Sequence, residues 1–282
     1  MRLATFNVLN GRSLSDGRVD IGRLRDAVAG LDVDVLGLQE VDRAQPRSGG
    51  HDLTAETAAA LGAQYHRFVP AVMGTPGRSW VAAVDGDHER GDVPAYGVGL
   101  VSRFPVRRWA VTRLAAAPIR SPILLLQPSV APSAEPTRPR VRWLRDEPRV
   151  LLAAVVDTPI GPMTIATTHL SFVPGWNGRQ LRLAVRALRQ LPEPHVLLGD
   201  LNLPGRIPAW LTGWQTLATL PTYPADEPRV QLDHVLAWGQ LPPVRAARAV
   251  ATPLSDHRAL VVDLSPQPFA HHREADGADT VS

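Results

Sequence analysis

The chain contains no cysteine and no lysine. Without cysteine there is no disulfide, no thiolate metal site and no thiol nucleophile. Without lysine, all 30 basic side chains are arginine. Guanidinium binds phosphate bidentately, so such a surface suits an anionic substrate, although genome composition alone also produces this bias. The isoelectric point near 10.1 reflects the lack of lysine and cysteine near the titration endpoint. The formal net charge is only +3, so charge alone gives no strong nucleic-acid signal. No run approaches 18 consecutive apolar residues, which excludes a membrane-spanning helix of ordinary length. Nor does a basic segment lead into a long apolar stretch near Met1, so a cytoplasmic protein without a secretory signal is expected.

What is present is an ordinary globular composition, 44% hydrophobic and 20% charged over 282 residues. Apolar runs predict strands over 2–9, 33–41, 96–102, 150–156, 163–170, 196–201, 231–238 and 259–264. Helical spacing of apolar residues predicts helices over 19–31, with Asp20 as N-cap, over 54–61, closed by Gly62, and over 179–191. Strands joined by short turns, without strict strand–helix alternation, argue for two packed, largely antiparallel sheets with helices outside. No clean linker divides the chain, so one domain is expected over 1–264. Within it, 115–148 reads as a surface insertion rich in proline and arginine, and 265–282 as a polar, frayed tail.

Four of the apolar runs carry a polar cluster at one end. Asn7 follows Leu3-Ala4-Thr5-Phe6; Glu40 follows Val35-Leu36-Gly37-Leu38-Gln39; Asp200-Leu201-Asn202 follows Val196-Leu197-Leu198-Gly199; and Ser255-Asp256-His257 precedes Ala259-Leu260-Val261-Val262. A carboxylate at the end of a buried strand must meet a cation, either an arginine or a metal. Asp200 and Asn202 point the same way by strand alternation, so one can orient or deprotonate a water that the other holds. His257 can serve as general base or as donor to a phosphoryl oxygen, with Asp233 fixing its tautomer. His169 ends another strand and is either a phosphate contact or a satisfied core histidine. Hard oxygen ligands and a base at one sheet edge point to metal-assisted phosphoester hydrolysis.

In chain order these clusters run Asn, Glu, Thr-x-His, Gly-Asp-x-Asn, Asp, Ser-Asp-His. This order resembles the endonuclease/exonuclease/phosphatase superfamily, with its DNase I-like fold, across roughly residues 1–264. The resemblance implies a four-layer α/β sandwich whose site lies at one edge. It implies that Asn7, Glu40 and Asp256 hold Mg²⁺ or Mn²⁺, and that Asp200 and Asn202 position or activate water. It further implies that Asp233 and His257 form the acid/base and phosphate-contacting dyad, and that His169 contacts the phosphate. Whether Asp200 or His257 takes the water's proton stays open.

Abasic-site repair members usually read Gln-Glu-Thr-Lys where this chain has Gln39-Glu40-Val41-Asp42, and Tyr where it has His234. The segment Arg47 to Asp52, Tyr96-Gly97 and Arg149 look more like small bacterial hydrolases of the superfamily, while sphingomyelinase-like members share the Gln-Glu-Val form. Arg47, Arg149 and Trp143 are the expected substrate-side contacts. Arg179, Arg182, Arg186 and Arg189 recur at helical spacing, as a solvated outer face or a phosphate track. The expected activity is a metal-dependent phosphodiesterase or phosphatase acting on a phosphoester, with DNA or RNA favoured. Phospholipid or inositol-phosphate headgroups, or a silent binding module on the same fold, are the alternatives. A monomer with no protein partner is expected.

Overall fold

The computed structural model describes residues 1–125 and 140–265. In its first half, the elements are β1 (Arg2–Asn7), α1 (Ile21–Leu31), β2 (Val35–Arg43), α2 (Leu53–Leu61), β3 (Tyr65–Gly74), β4 (Trp80–Ala82), β5 (Ala95–Ser102), β6 (Val106–Leu114) and β7 (Arg120–Leu125). There follow β8 (Arg140–Arg145), β9 (Arg149–Thr158), β10 (Gly161–His169), α3 (Trp176–Leu188), β11 (His195–Asp200), α4 (Ile207–Thr212), β12 (Gln215–Thr216), β13 (Asp233–Trp238), β14 (Val244–Val250) and β15 (Ala259–Leu264).

The strands form a seven-stranded sheet, ordered β14-β15-β1-β2-β5-β3-β4, and a six-stranded sheet, ordered β12-β13-β11-β10-β9-β6. Among the described residues, only β1–β2 and β10–β11 pair in parallel; the other pairings are antiparallel. Period-two alternation divides each strand between two cores. Leu3, Val35, Val98, Leu152, Ile165, Leu198 and Val262 fill the space between the sheets. Phe6, Leu36, Leu38 and Val261 face outward onto Leu24, Val28 and Leu31 of α1. Ala166, Leu197 and Leu236 pack outward against Leu181, Ala184 and Leu188 of α3. Helix, sheet, sheet, helix is therefore the layer order, the four-layer α/β sandwich expected from the sequence.

The helices start where local chemistry allows. The Asp20 carboxylate accepts from the Arg23 amide at 3.1 Å and opens α1. The Asp52 carboxylate accepts from the amides of Thr54 and Ala55 and opens α2. α3 begins at Trp176, one turn before the predicted start, after Gly175 at φ 80°.

The insertion is not a plain loop. β7 and β8 pair antiparallel, from Arg120 opposite Arg145 to Leu125 opposite Arg140, in a separate two-stranded ribbon. The middle of the insertion and the tail from 266 lie outside the described residues. No helix among the described residues is long and apolar enough to cross a membrane.

Two features of the sandwich shape the site. Between Leu38 and Val41 the pairing of β2 with β5 shifts, so β2 carries one extra residue there. Glu40 sits in this bulge at φ 56°, a left-handed conformation that turns its side chain out of the strand's alternation. Behind it, Gly37 faces the opposite sheet so closely that a Cβ would lie 2.7 Å from Thr167 Oγ1 and 3.1 Å from Leu198 Cβ. Only glycine lets the two sheets approach this closely there.

Candidate active site

The ends of β1, β10, β11 and β13 and the bulge of β2 meet at one edge with the loop before β15. Asn7 bridges the two sheets: its Nδ2 donates to Glu40 Oε1 and to Asp200 Oδ2, each at 3.1 Å. Its Oδ1 accepts from the Leu9 amide at 3.1 Å, which fixes the side chain. Beneath this bridge lies a buried polar chain. Thr5 Oγ1 donates to Gln39 Oε1 at 3.1 Å, and Gln39 Nε2 donates to Thr167 Oγ1 at 2.9 Å. The residue preceding Glu40 is thereby fastened to both sheets.

Asp200 is 2% exposed. Its Oδ1 accepts from the Asn202 amide at 3.0 Å, and its Oδ2 lies 3.5 Å from His169 Nε2 and 3.7 Å from His257 Nε2. Burial raises its pKa to about 7, against the opposing pull of His257 and the Asn7 hydrogen bond. His257 Nδ1 is 2.8 Å from Asp233 Oδ2. Burial alone would disfavour the imidazolium, but Asp233 and Asp200 outweigh it and raise the His257 pKa to about 10. Ser255 ties the loop down: its hydroxyl donates to the Asn7 carbonyl at 2.6 Å and accepts from the His257 amide at 3.1 Å. Ser255 and Asn202 both have positive φ, 70° and 50°. Backbone strain at Glu40, Asn202 and Ser255 is thus gathered at this edge.

His169 behaves differently. Burial, then the charges of Arg149 and His257, hold its pKa well below the usual imidazole value, so it is neutral. Its Nε2 lies 3.2 Å from Asn202 Nδ2, which also donates to the Leu170 carbonyl at 2.9 Å.

Asp200, Asp233 and His257 offer ligand atoms all within 4.8 Å of one another, a buried group able to hold a metal. The short Asp233–His257 contact already engages one of those pairs, so a dyad describes it better. Open metal donors lie beside it. Asp256 Oδ1 is buried and has no hydrogen-bond partner. Burial, then the neighbouring Asp256 charge, raises the Glu40 pKa, against the Asn7 hydrogen bond and the charges of His257 and Arg149. An orphaned carboxylate oxygen beside a second carboxylate is a donor set that fits Mg²⁺ or Mn²⁺.

Arg149 is 7% exposed, and its Nε has no partner. Its Nη2 reaches Asp146 Oδ1 at 3.5 Å, and its charge acts on Glu40 and His169. Arg47 instead makes a bidentate pair with buried Asp42, at 2.8 and 2.7 Å, and lies over the Tyr96 ring. Trp143 lies on β8, and its side-chain surroundings are outside the described structure.

Three supports of the site have no counterpart among the residues expected from the sequence. Tyr223 packs on His257 with ring centroids 4.9 Å apart. Asp146 accepts from Ser171 Oγ at 2.8 Å and from the Ala117 amide at 2.7 Å, which anchors the start of β9. Asn177 Nδ2 donates to the Asn202 carbonyl at 2.8 Å. Each acts across a long sequence separation, so no local pattern in the sequence points to it.

The profile of the Endonuclease/Exonuclease/phosphatase family matches residues 4–257. No curated protein matches the sequence. Among solved structures, an endonuclease/exonuclease/phosphatase from Beutenbergia cavernae is similar, with a TM-score of 0.66, 23% identity, and coverage of 94% of this chain and 71% of that one. A mannosyl-6-phosphatase from Bacteroides thetaiotaomicron has a TM-score of 0.62 at 14% identity, over 94% of this chain and 99% of that one. Truncated TDP2 from Caenorhabditis elegans has 0.53 at 16% identity, over 93% and 95% respectively. At these identities the likeness is one of fold.

Proposed function

The chain belongs to the endonuclease/exonuclease/phosphatase family, and from that premise we propose that it is a metal-dependent phosphodiesterase acting on nucleic acid. The observation that carries the reading is the bridge from Asn7 to Glu40 and Asp200, which joins a cation-seeking carboxylate to a buried Asp–His constellation. Glu40 and Asp256, with Asn7 between the sheets, would hold Mg²⁺ or Mn²⁺. The ion would supply charge neutralisation on the phosphate and on the leaving oxygen.

The protein's own groups do the rest. Asp200, held by Asn7 and the Asn202 amide, orients the attacking water and takes its proton. His257, kept as imidazolium between Asp233 and Asp200, stabilises negative charge growing on the phosphoryl oxygens. The flanking carboxylates favour this division over His257 as the base. Neutral His169 and the Asn202 amide flank the same space, and Arg149 supplies a buried guanidinium for a phosphate oxygen.

Hydrolysis of bis-p-nitrophenyl phosphate, single- and double-stranded DNA, RNA, sphingomyelin, inositol phosphates and sugar phosphates, with Mg²⁺, Mn²⁺ or EDTA, tests the proposal. Metal-dependent cleavage of nucleic acid and of the small diester is expected. Asp200→Ala and His257→Ala should each lower kcat by at least about 10²-fold. Cleavage confined to lipid or sugar phosphates would replace the substrate class, and full activity in either variant would remove the role assigned to that residue.

A further inference from the structure

The outer layer beside the active edge carries a surface that the catalytic constellation does not use. Neither α3 nor the segment 201–217 contains an acidic residue. Arg179, Arg182, Arg186 and Arg206 are exposed there, and among the described residues none of them enters an ion pair. Elsewhere, Arg25, Arg107 and Arg229 are matched to carboxylates, whereas exposed Arg12, Arg18, Arg78, Arg108 and Arg245 also enter no ion pair among the described residues, so it is the lack of any acidic residue in this layer that sets it apart. On the same layer, beside Arg206, stands Trp210, 82% exposed, with Ile207 at 40%. Trp210, Ile207 and Arg206 line a cavity of about 540 Å³, with buried Trp214 on its wall. A tryptophan left this open offers a partner a large flat ring with a polar edge.

The surface is coupled in space to the chemistry. α3 follows the strand that ends in His169, and α4 follows the loop of Asp200 and Asn202. Asn177, in the first turn of α3, holds the Asn202 carbonyl. A Cβ on Gly178, next to it, would lie 3.3 Å from Leu211, the neighbour of Trp210.

We propose that Trp210, Arg206 and the N-terminal part of α3 form a docking surface for single-stranded nucleic acid, with Trp210 stacking on an unpaired base while Arg206, Arg179 and Arg182 contact phosphates. The charge sign and the flat aromatic beside a slot match such a strand, because every base offers a π-face and every linkage an anion. A lipid surface fits less well. Insertion needs a continuous apolar face, and apart from Trp210 and Ile207 this layer exposes only Leu183 among its large apolar side chains. The inference rests on nucleic acid being the substrate class, and it extends that reading to a surface outside the catalytic edge.

The test is anisotropy of a fluorescent 12-nucleotide deoxythymidine strand in EDTA, with an abasic strand, a duplex and phosphatidylserine vesicles as further arms. Trp210→Ala should weaken binding of the thymidine strand about tenfold, and Trp210→Phe should restore it. The abasic strand should be insensitive to both changes. Replacing Arg179 and Arg182 by alanine should lower the slope of log affinity against log salt by about 1.4, since each single-strand phosphate contact contributes about 0.7. Hydrolysis of bis-p-nitrophenyl phosphate should be unchanged in all these variants. Equal strand binding by wild type and Trp210→Ala, no strand binding by wild type, or a Trp210 effect seen only on vesicles would each overturn the surface. Because binding is read without metal, failure of small-diester hydrolysis would count against the catalytic reading alone.

Discussion

At the scale of single residues, the candidate site is a set of polar groups placed where an apolar strand runs out. That is why most of them are readable in the sequence: Glu40, Asp200 and Asp233 each adjoin residues that can only be buried, and a carboxylate in such a place needs a partner. Arg47 shows the limit of the same reasoning. It is expected on the substrate side, and in the structure its guanidinium forms a bidentate pair with Asp42, whose burial no sequence pattern announces. Tyr223 and Asn177 are not readable at all, because their partners His257 and Asn202 are brought to them only by the tertiary fold. Gln39 carries the first prediction. It joins Thr5 to Thr167 across the sheets and immediately precedes the Glu40 bulge. Gln39→Leu leaves both hydroxyls without their side-chain partner, which should cost about 1–3 kcal/mol of stability in urea unfolding. It also frees the bulge, so Mn²⁺ binding measured by calorimetry should weaken by about 10–100-fold. Unchanged metal affinity at reduced stability would show that the chain of hydrogen bonds supports the fold without positioning Glu40.

At the scale of elements, the readable strands are those with buried, β-branched runs, such as β9, β10, β11 and β15. β3, β6 and β14 escape a sequence reading for identifiable reasons. β3 contains Pro70, where its pairing with β5 also shifts. β6 reads Val-Arg-Arg-Trp-Ala-Val-Thr-Arg-Leu and β14 reads Val-Arg-Ala-Ala-Arg-Ala-Val; both are edge strands with largely solvated faces. The insertion reads as a loop because its prolines mask the β7–β8 ribbon. The distance between the sheets is written in no sequence pattern. β2 and β10 approach at Gly37 and Thr167, and the same two strands carry Glu40, in the β2 bulge, and His169, at the end of β10. Gly37→Ala should therefore act as a wedge, costing about 1–3 kcal/mol by overpacking. At roughly 2–4 °C per kcal/mol for a domain of this size, calorimetry should show Tm falling by several degrees. Because the wedge separates two halves of one site, kcat on a small diester should fall more than stability alone explains. A variant with lowered Tm and full kcat at 25 °C would uncouple sheet spacing from catalysis.

At the scale of the whole molecule, two sheets are clamped face to face and their shared edge collects like charges. Glu40, Asp256, Asp200 and Asp233 converge there, while the imidazolium of His257 is the cation between Asp233 and Asp200. Apolar burial on either side holds this edge closed against its own repulsion, and the strain is most evident where Asp256 Oδ1 has no partner and Glu40 resists ionisation. A divalent cation at that point should stabilise the entire sandwich. With free metal at 100 times its Kd the gain is about 2.7 kcal/mol, so chelation should lower Tm by roughly 5–10 °C. The sharper expectation concerns the metal-free protein. Glu40→Gln keeps the acceptor for Asn7 and removes one crowded charge, so in EDTA this variant should melt at or above wild type while gaining little from added Mg²⁺. Scanning calorimetry of both proteins with Mg²⁺ and with EDTA checks it. If Glu40→Gln melted below wild type in EDTA, the edge would be held by hydrogen bonds that need the carboxylate, and the case for a cation between Glu40 and Asp256 would lose its physical basis.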